Sequence, residues 1–443
     1  MKKTLLSLCL LVQLSLASLA QTIDTAKLNA YFNMLHEHHK LMGSVAVSIG
    51  GKVAYTRAVG YSDIASQKAA DTHTRYRIGS ISKTFTAVMI FKAIEAGKLK
   101  LTTLLSSYFP QVKNAEEIIM AQLLNHSSGI PNFTADRDYP QIRTKELSQT
   151  ELFKMVTFSG SDFSPGEKHA YSNTNYLLLS LILEKIHGKG YPAILQEQIT
   201  DPIGLKNTYY GRPTNTAQYE SHSYIRSKGN WERLIETNMS VPLGAGAIVS
   251  SPVDLNLFAY ALFNNKLVSP SSLKLMETMA NGYGMGLFRV PFYQRSGYGH
   301  RGNIDGFAAF FYHFAEGDVS VAMTANGVDI NTNDIAMVLL NAAFQKPFEL
   351  PNFTLPILDT ADLDKYLGVY ASEDIPLKLI ISKKGNVLMA QATGQSAFEL
   401  KPIGKDRFAF EKAKITMEFS PLANRLIMVQ GKRFNFVRDG RQI

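Results

Sequence analysis

The chain reads Ile78-Gly79-Ser80-Ile81-Ser82-Lys83-Thr84-Phe85-Thr86 at residues 78–86, where an apolar segment begins that ends near Gly97. The spacing of the apolar residues predicts a helix that starts at Ser80. Three residues make nearly one helical turn, so Ser80 and Lys83 would share a face, with the hydroxyl at the positive end of the helix. A serine hydroxyl needs a base to remove its proton, and a lysine shielded from water has a pKa low enough to help. The stretch therefore predicts a nucleophile beside its base.

Alone, Ser80 and Lys83 also fit a helix cap followed by a surface lysine. Two later segments support a catalytic role for the pair. The first is Ser164-Pro165-Gly166 and then His169-Ala170-Tyr171-Ser172-Asn173, which leads into a predicted helix at 174–187. Here Tyr171 would share a proton with Ser80 and Lys83, unless it is a core tyrosine beside a helix cap. The second is Gly299-His300-Arg301-Gly302-Asn303, where glycine lets a strand approach a substrate closely.

Together these segments resemble the large serine β-lactamase and penicillin-binding family, which includes class C β-lactamases, DD-peptidases and related esterases. Ser80-x-x-Lys83, Tyr171-x-Asn173 and His300-x-Gly302 match its three motifs in the right order. The resemblance covers roughly Leu28 to Phe344. It includes connecting phrases such as Leu123-Leu124-Asn125-His126-Ser127-Ser128-Gly129.

The resemblance implies an α+β fold, with a mixed, mainly antiparallel sheet flanked by helices, an inserted all-helical region and a catalytic cleft between them. It implies that Ser80 attacks a carbonyl to form an acyl-enzyme, with Tyr171, as a phenolate beside Lys83, as the general base. The backbone amides of Ser80 and Asn303 would form the oxyanion hole. No metal ion or organic cofactor is implied. The residues expected to bind the substrate are Asn173, which would hold an acyl-group amide, and His300, Arg301 and Gly302.

The β-lactamases of this family usually have lysine at the position of His300, where it helps to hold a substrate carboxylate. A histidine there resembles the peptidase and esterase branches, although Arg301 would still supply positive charge. The expected activity is hydrolysis of an ester, an amide or a D-amino-acid peptide, with only incidental action on antibiotics. The alternatives are a true class C-type β-lactamase and a catalytically weak or silent penicillin-binding protein. Intact Ser80, Lys83 and Tyr171 favour an enzyme.

The first 20 residues predict a secretory signal peptide, with Lys2 and Lys3 as its basic start, an apolar stretch at 5–16 and a small-residue cleavage site at Ser18-Leu19-Ala20. Neither this stretch nor any later one is long enough to span a membrane. We therefore expect an exported protein, periplasmic or secreted. The one cysteine, Cys9, lies in the signal peptide, which excludes disulfides, thiol nucleophiles and cysteine-bound zinc from the mature chain.

The composition, with 45% hydrophobic and 19% charged residues, is that of a globular protein. A length of 443 residues is enough for two domains. The net charge is +9, but the basic residues are scattered and no nucleic-acid motif is present, so the expected partner is a small-molecule or peptide substrate. A metalloenzyme using His36, His38 and His39 is a further alternative. Since Lys40 stands where the metalloprotease helix motif needs its second histidine, these residues are predicted to form a solvated helix end.

Four segments are expected: the signal peptide at 1–20, a hydrolase domain at 21–345, a linker at 346–360 rich in proline, and a C-terminal β-domain at 361–443. In the hydrolase domain Asp24 would cap a helix that runs to about Lys40. A hairpin at 45–59, a largely helical region at 80–262 and strands at 306–314 and 319–326 would follow.

Six short β-like runs are predicted after the linker. Together with Tyr366-Leu367-Gly368-Val369-Tyr370, they resemble the lipocalin-like β-domains that some of these hydrolases carry, so a small barrel-like domain is expected.

Overall fold

The computed structural model describes residues 23–157, 160–280, 282–353, 361–410 and 413–439. The predicted signal peptide at 1–20 and the second half of the predicted linker, at 354–360, lie outside the described residues. Contacts divide the chain into two compact units between Glu349 and Leu350. None of the helices in the described part of the chain is long and apolar enough to cross a membrane.

The first helix shows how local sequence sets the element boundaries. The Asp24 side chain accepts a hydrogen bond from the backbone N–H of Lys27 at 2.9 Å, which confirms the predicted cap. The helix ends at Glu37 rather than near Lys40, because His39 adopts a left-handed φ of 54°. The helices are α1 (Thr25–Glu37), α2 (Ser82–Glu95), α3 (Met120–Leu124), α4 (Tyr139–Ile142), α5 (Gln149–Thr157), α6 (Asn173–His187), α7 (Tyr191–Leu195), α8 (Asp201–Ile203), α9 (Pro252–Phe263), α10 (Pro270–Met276) and α11 (Thr332–Ala343).

The strands of the first unit form one large sheet and several small ones. They are β1 (Leu41–Ile49), β2 (Lys52–Val59), β3 (Tyr61–Asp63), β4 (Lys68–Ala69), β5 (Tyr76–Arg77), β6 (Tyr209–Tyr210), β7 (Tyr224–Ser227), β8 (Asn230–Arg233), β9 (Ile248–Ser250), β10 (Phe288–Phe292), β11 (Arg295–Ile304), β12 (Phe307–Phe314) and β13 (Val319–Val328). The large sheet has six strands in the order β10-β11-β12-β13-β1-β2, and each neighbouring pair is antiparallel. This confirms a mainly antiparallel sheet built from strands at both ends of the domain.

The two faces of this sheet carry different helices. Phe311 of β12 contacts Phe258 of α9, so one face packs on α9. Tyr55 of β2 stacks on Phe32 of α1. Through paired residues of β1 and β13, Tyr55 is in register with Tyr312 of β12, so the two side chains share a face of the sheet. Because Tyr312 is next to Phe311 and neighbouring side chains of a strand point to opposite faces, α1 and α9 lie on opposite faces. Helix α11 contacts both α1 and the sheet.

The region at 80–262 contains α2 to α9 separated by loops, as predicted, and also short strands that the sequence did not indicate. Strands β5, β9 and β6 form a small sheet, and β7 pairs with β8 as a hairpin. Each of these strands has two to four residues. Runs so short show no alternation in the sequence, which explains why the pattern did not reveal them.

The second unit is a closed antiparallel barrel of eight strands, which confirms the predicted barrel-like domain. Sequence had indicated six strands. The two additional strands are β14, which begins at Gly368, and β17. Strand β17 contains Pro402, and its register shifts there, so its sequence lacks regular alternation. The strands are β14 (Gly368–Ser372), β15 (Lys378–Lys384), β16 (Val387–Ala392), β17 (Phe398–Gly404), β18 (Arg407–Phe410), β19 (Ile415–Ser420), β20 (Arg425–Gln430) and β21 (Lys432–Asp439).

Candidate active site

The first motif occupies a tight turn before α2. A 3-10 turn, Gly79–Ile81, precedes the helix, which therefore begins at Ser82 rather than at Ser80. Gly79 has a φ of 51°, and a Cβ atom there would lie 2.7 Å from the carbonyl oxygen of Asn303 in β11. Both the backbone conformation and the close approach of β11 therefore require glycine. Ser80 is half-buried, whereas Lys83 is fully buried.

The amine of Lys83 lies among three hydrogen-bond partners. Its Nζ atom is 2.9 Å from Ser80 Oγ, 2.7 Å from Asn173 Oδ1 and 2.8 Å from the carbonyl oxygen of Ala245. The partners come from the turn before α2, the start of α6 and a 3-10 turn at Leu243–Ala245. Three separate segments of the chain thus position the amine against the serine.

Burial controls the protonation state of Lys83. It lowers the pKa of this amine well below the usual lysine value of 10.5, and none of its three hydrogen-bond partners is a carboxylate. A neutral amine has two N–H groups and one lone pair. The two N–H groups fit Asn173 Oδ1 and the Ala245 carbonyl, which leaves the lone pair for the proton of Ser80. The resting geometry is that of a base beside its nucleophile.

Tyr171 contacts both members of this pair. Its hydroxyl group hydrogen-bonds to the Ser80 side chain, and Lys83 Nζ lies 4.9 Å from the centre of its ring. The residue is 40% exposed at its ring, but burial of the hydroxyl raises the pKa of Tyr171 above its usual value. Burial thus shifts the pKa values of Lys83 and Tyr171 in opposite directions, and each shift favours the uncharged form of the group. The predicted role of Tyr171 as the general base stays a prediction.

Asn173 is held at both ends of its side-chain amide. Its Oδ1 atom accepts from Lys83, and its Nδ2 atom donates to Asn132 Oδ1 and to Thr134 Oγ1, each at 3.1 Å. The side chain thus orients Lys83 and also lines the groove in front of Ser80. Its predicted contact with the amide of an acyl group stays a prediction.

The third motif brings β11 against the first. A Cβ atom at Gly302 would lie 1.9 Å from the carbonyl oxygen of Ile78 and 2.9 Å from the backbone nitrogen of Ser80, so only glycine fits there. Asn303, the next residue, lines the same groove as Ser80. The approach therefore brings the backbones of Ser80 and Asn303 close together. Their assignment as the oxyanion hole stays a prediction.

His300 is buried and uncharged. Its Nδ1 atom lies 2.5 Å from the carbonyl oxygen of Arg301, and its Nε2 atom lies 3.2 Å from the hydroxyl of Tyr283. A carbonyl only accepts hydrogen bonds, so this network assigns the proton to Nδ1, and Nε2 accepts from Tyr283. Burial is the largest cause that lowers the pKa of His300, to about 3. The ring therefore carries no charge at neutral pH.

Arg301 lies on the other face of β11. It pairs with Phe310 of β12 and hydrogen-bonds to Tyr312, on the face that packs against α1. His300 pairs instead with Phe311, on the α9 face. Of the residues predicted to bind the substrate, Asn173 lines the Ser80 groove, whereas His300, Arg301 and Gly302 are not among the residues that line it.

Sequence analysis assigned no role to His126, which fixes the backbone on both sides of Tyr171. The carbonyl oxygen of His126 accepts from Ala170 N–H at 3.0 Å, and its Nδ1 atom accepts from Ser172 N–H at 3.2 Å. Its ring centre lies 4.3 Å from that of Tyr171. The only signal in the sequence is the connecting phrase at 123–129, which resembles the family but names no function for the histidine.

The groove in front of Ser80 has a volume of about 320 Å³. Two charged side chains, Arg143 and Asp305, line the groove. The sequence did not indicate them, because they follow α4 and β11 in loops without a motif. They form an ion pair, with Arg143 Nη1 2.6 Å from Asp305 Oδ1. Within the described ranges, no three histidine, cysteine, aspartate or glutamate side chains are grouped so as to hold a metal ion.

Comparison with known proteins matches these motifs to a family. The model of the family described as Beta-lactamase matches residues 28–344. Penicillin-binding protein 4* of Bacillus subtilis is 26% identical over 428 residues, covering 89% of this chain and 93% of that protein. Teichoic acid D-alanine hydrolase of Staphylococcus aureus is 27% identical over 233 residues, covering 52% of this chain and 57% of that protein.

The fold of the first unit is also similar to a solved enzyme. D-amino acid amidase from Ochrobactrum anthropi, in complex with L-phenylalanine amide, is 25% identical, with a TM-score of 0.64 over 72% of this chain and 98% of that one. The family match covers most of the chain and contains the serine, lysine and tyrosine described above. The chain therefore belongs to the β-lactamase family and is a serine hydrolase.

Proposed function

We propose that this protein is an exported hydrolase that forms an acyl-enzyme at Ser80 and hydrolyses D-alanyl esters, D-amino-acid amides or D-alanyl peptides. The observation that carries the proposal is the contact of 2.9 Å between Ser80 Oγ and the buried amine of Lys83, whose pKa burial lowers well below 10.5. The teichoic acid D-alanine hydrolase and the D-amino acid amidase are both named for a D-amino acid, which supports D-amino-acid compounds as the substrate class. The predicted signal peptide supports export.

Acylation follows from the arrangement of protons. Ser80 Oγ attacks the substrate carbonyl while its proton passes to Lys83 Nζ, and the backbone N–H groups of Ser80 and Asn303 receive the oxyanion. When the tetrahedral intermediate collapses, the Tyr171 hydroxyl gives its proton to the leaving nitrogen or oxygen. Lys83 then returns its extra proton to Tyr171, so that both groups regain their starting states. The net result is the transfer of one proton from Ser80 to the leaving group.

Deacylation runs through the same groups. A water molecule replaces the leaving group, loses a proton to the Lys83–Tyr171 pair and attacks the acyl carbon. The bond to Ser80 Oγ then breaks, and the pair returns the proton to the serine. The groups involved are the same because the second half reaction is the reverse of the first, with water in place of the leaving group.

A hydrolysis screen tests the proposed function. Purified protein without its first 20 residues would be assayed against a nitrophenyl acetate, a D-amino-acid amide, a D-alanyl-D-alanine peptide and a chromogenic cephalosporin under one set of conditions. We expect turnover of the ester and of at least one D-amino-acid substrate, with no turnover by the Ser80→Ala variant. Turnover of the nitrophenyl ester with no turnover of either D-amino-acid substrate would contradict the proposed substrate class.

We expect only weak turnover of β-lactams. The third motif has a neutral, buried histidine in place of the lysine that β-lactamases of this family use, so it offers no charge to the carboxylate of the antibiotic. Penicillin should therefore acylate Ser80 slowly. The measurement is kcat/KM for a cephalosporin beside that for the best D-alanyl substrate. A cephalosporin value near 10⁶ M⁻¹s⁻¹, on the order of that of a good enzyme, would instead support a β-lactamase.

His126→Ala is expected to lower kcat by about 10- to 100-fold, since small misplacements of a catalytic group have effects of that size. The substitution removes the acceptor for Ser172 N–H and the ring that packs on Tyr171. His126 has a left-handed φ of 63°, a conformation that asparagine tolerates, so His126→Asn is the matched variant. We expect it to recover part of kcat, because its side-chain oxygen replaces the acceptor. Equal losses in both variants at equal thermal stability would argue against a positioning role.

The first unit is expected to retain activity on small esters when the chain ends at Glu349. Every residue that lines the Ser80 groove precedes position 306. We therefore expect kcat/KM for nitrophenyl acetate within about 3-fold of the full chain, because no group that carries the chemistry is lost. Size-exclusion chromatography must first show a soluble, monodisperse product, since newly exposed apolar surface causes aggregation. A folded, monodisperse truncation without esterase activity would show that the barrel unit contributes to catalysis.

A further inference from the structure

Two segments of backbone meet at the predicted oxyanion hole. Ser80 lies in the turn after β5, and Asn303 lies near the end of β11. A Cβ atom at Gly79 would lie 2.7 Å from the carbonyl oxygen of Asn303, and one at Gly302 would lie 2.9 Å from the backbone nitrogen of Ser80. Glycine permits this close approach but does not enforce it. Other contacts in the fold must therefore set the distance between the two backbones.

A buried ion pair joins the same two segments a few residues away. Arg77 ends β5 shortly before Ser80, and Asp305 follows β11 shortly after Asn303. Arg77 Nη1 lies 3.6 Å from Asp305 Oδ2, and the two side chains are 5% and 2% exposed. Solvent and salt screen a pair at this depth much less than a pair at the surface. The ion pair thus connects the two halves of the predicted hole.

Thr237 binds both members of the ion pair. Its N–H and its Oγ1 atom donate to the carboxylate of Asp305 at 2.9 and 2.8 Å, and its carbonyl oxygen accepts from Arg77 Nη1 at 2.6 Å. Arg143 donates to Asp305 Oδ1, and Glu236 Oε2 lies 3.1 Å from Arg77 Nη2. Two arginines and two carboxylates balance in charge. Because both oxygens of Asp305 accept hydrogen bonds, its side chain has one well-defined position.

Asp305 stands in the tight turn between β11 and β12. Ile304 pairs with Phe307 across this turn, so Asp305 and Gly306 form its loop. Asp305 has a left-handed φ of 53°, a conformation that aspartate and asparagine tolerate better than most residues. The guanidinium carbon of Arg77 lies 6.0 Å from the centre of the Phe307 ring, so Arg77 packs against the same turn. The side chain of Asp305 therefore anchors the turn that ends β11.

We propose that Asp305 is a positioning residue: through Arg77 and Thr237 it holds the end of β11, and with it the N–H of Asn303, at the distance from the Ser80 N–H that an oxyanion requires. This inference rests on the proposed function, in which these two N–H groups receive the oxyanion. Hydrogen-bond donors stabilise a developing oxyanion only within a narrow range of distances. Arg77 does not line the Ser80 groove, so its effect on catalysis would act through the backbone.

Neutral variants of the ion pair test the proposal. Asp305→Asn tolerates the left-handed φ but removes the charge that attracts Arg77 and replaces one accepting oxygen by an NH₂ group. We expect kcat/KM for a nitrophenyl ester to fall by about 10- to 100-fold, the effect of a small misplacement of a catalytic group. Phenylboronic acid forms a tetrahedral adduct with an activated serine, and its affinity should fall by a similar factor. Lower folding stability alone would change neither value.

Two further variants separate positioning from general destabilisation. Asp254→Asn is the matched control, because Asp254 is 5% exposed, accepts from Asn207 N–H and Thr208 Oγ1, and does not line the groove. Its kcat/KM and boronic acid affinity should stay within about 3-fold of the natural values. The double variant of Arg77→Gln and Asp305→Asn leaves the remaining charges balanced. It should be at most about 3-fold slower than the slower single variant, because both substitutions break the same link.

Three results would overturn the proposal. They are natural kcat/KM and boronic acid affinity in a folded Asp305→Asn variant, a loss of kcat/KM without a loss of boronic acid affinity, and equal losses in Asp254→Asn. If the single variants of the ion pair do not fold, the balanced double variant replaces them, and natural values in it would also overturn the proposal. Failure of the proposed function is distinct, because the natural protein would then show no ester hydrolysis that Ser80→Ala removes.

Discussion

Lys83→Ala and Tyr171→Phe are each expected to lower kcat/KM for an ester by about 10²- to 10⁴-fold, the range in which general acid–base groups contribute. Lys83 Nζ and the Tyr171 hydroxyl both contact the Ser80 side chain, and the proposed mechanism passes one proton between them. Removing either group therefore interrupts the same proton path. The double variant should be no more than a few-fold slower than the worse single variant, because the two groups act as one unit.

The measurement is kcat/KM for the natural protein, both single variants and the double variant on one nitrophenyl ester. Circular dichroism and thermal unfolding must show that all four proteins fold alike. Asn132→Ala is a useful control, since Asn132 contacts Asn173 but neither Lys83 nor Ser80, and should lose much less activity. Losses that multiply in the double variant would mean that Lys83 and Tyr171 work independently and that the proton path is wrong.

The same arrangement gives the direction of the pH dependence. Burial lowers the pKa of Lys83 well below 10.5, and the amine accepts a proton only when it is neutral. Activity is therefore expected at pH values above the lowered pKa and should be lost as the pH falls through it, with kcat/KM for the ester rising to a plateau from the acid side. His300 does not contribute near neutral pH, because its pKa is lowered to about 3.

Ser80→Ala is expected to remove at least about 10⁴-fold of kcat, since without the hydroxyl no acyl-enzyme can form and only binding and the oxyanion hole remain. Ser127→Ala is the matched control. Ser127 is another nearly buried serine of the same unit, and its hydroxyl hydrogen-bonds to Asn125 at 2.7 Å rather than to a catalytic group. Its variant should keep activity within about 3-fold. Undiminished turnover by Ser80→Ala would assign the chemistry to another residue.

Short motifs in the sequence were enough to predict much of the fold and the central catalytic group. Ser80, Lys83 and Tyr171 lie together, since the first two are one helical turn apart and the third follows a phrase specific to the family. The alternation of strands at both ends of the domain likewise predicted the antiparallel sheet. Local spacing carries this information because both features depend on neighbouring residues.

Features that depend on distant contacts were not visible in the sequence. The pKa shifts of Lys83 and Tyr171 follow from burial. This burial arises where segments near 80, 171 and 245 meet in the fold, and no local pattern encodes it. Arg301 was expected to supply charge, but strand alternation places it on the face opposite His300. Register decides which of two neighbouring residues faces α9 and which faces α1, and the sequence alone did not determine it.

The most direct test of the central claim is mass spectrometry of the protein after brief reaction with a fluorophosphonate probe, followed by mapping of the labelled peptide. Because the proposed mechanism has Lys83, 2.9 Å from Ser80 Oγ, activate this serine, we predict one adduct per chain, located on Ser80 and absent from the Ser80→Ala and Lys83→Ala variants. An adduct on Ser82, Ser127 or Ser128, or labelling of Ser80 that persists undiminished without Lys83, would contradict the account.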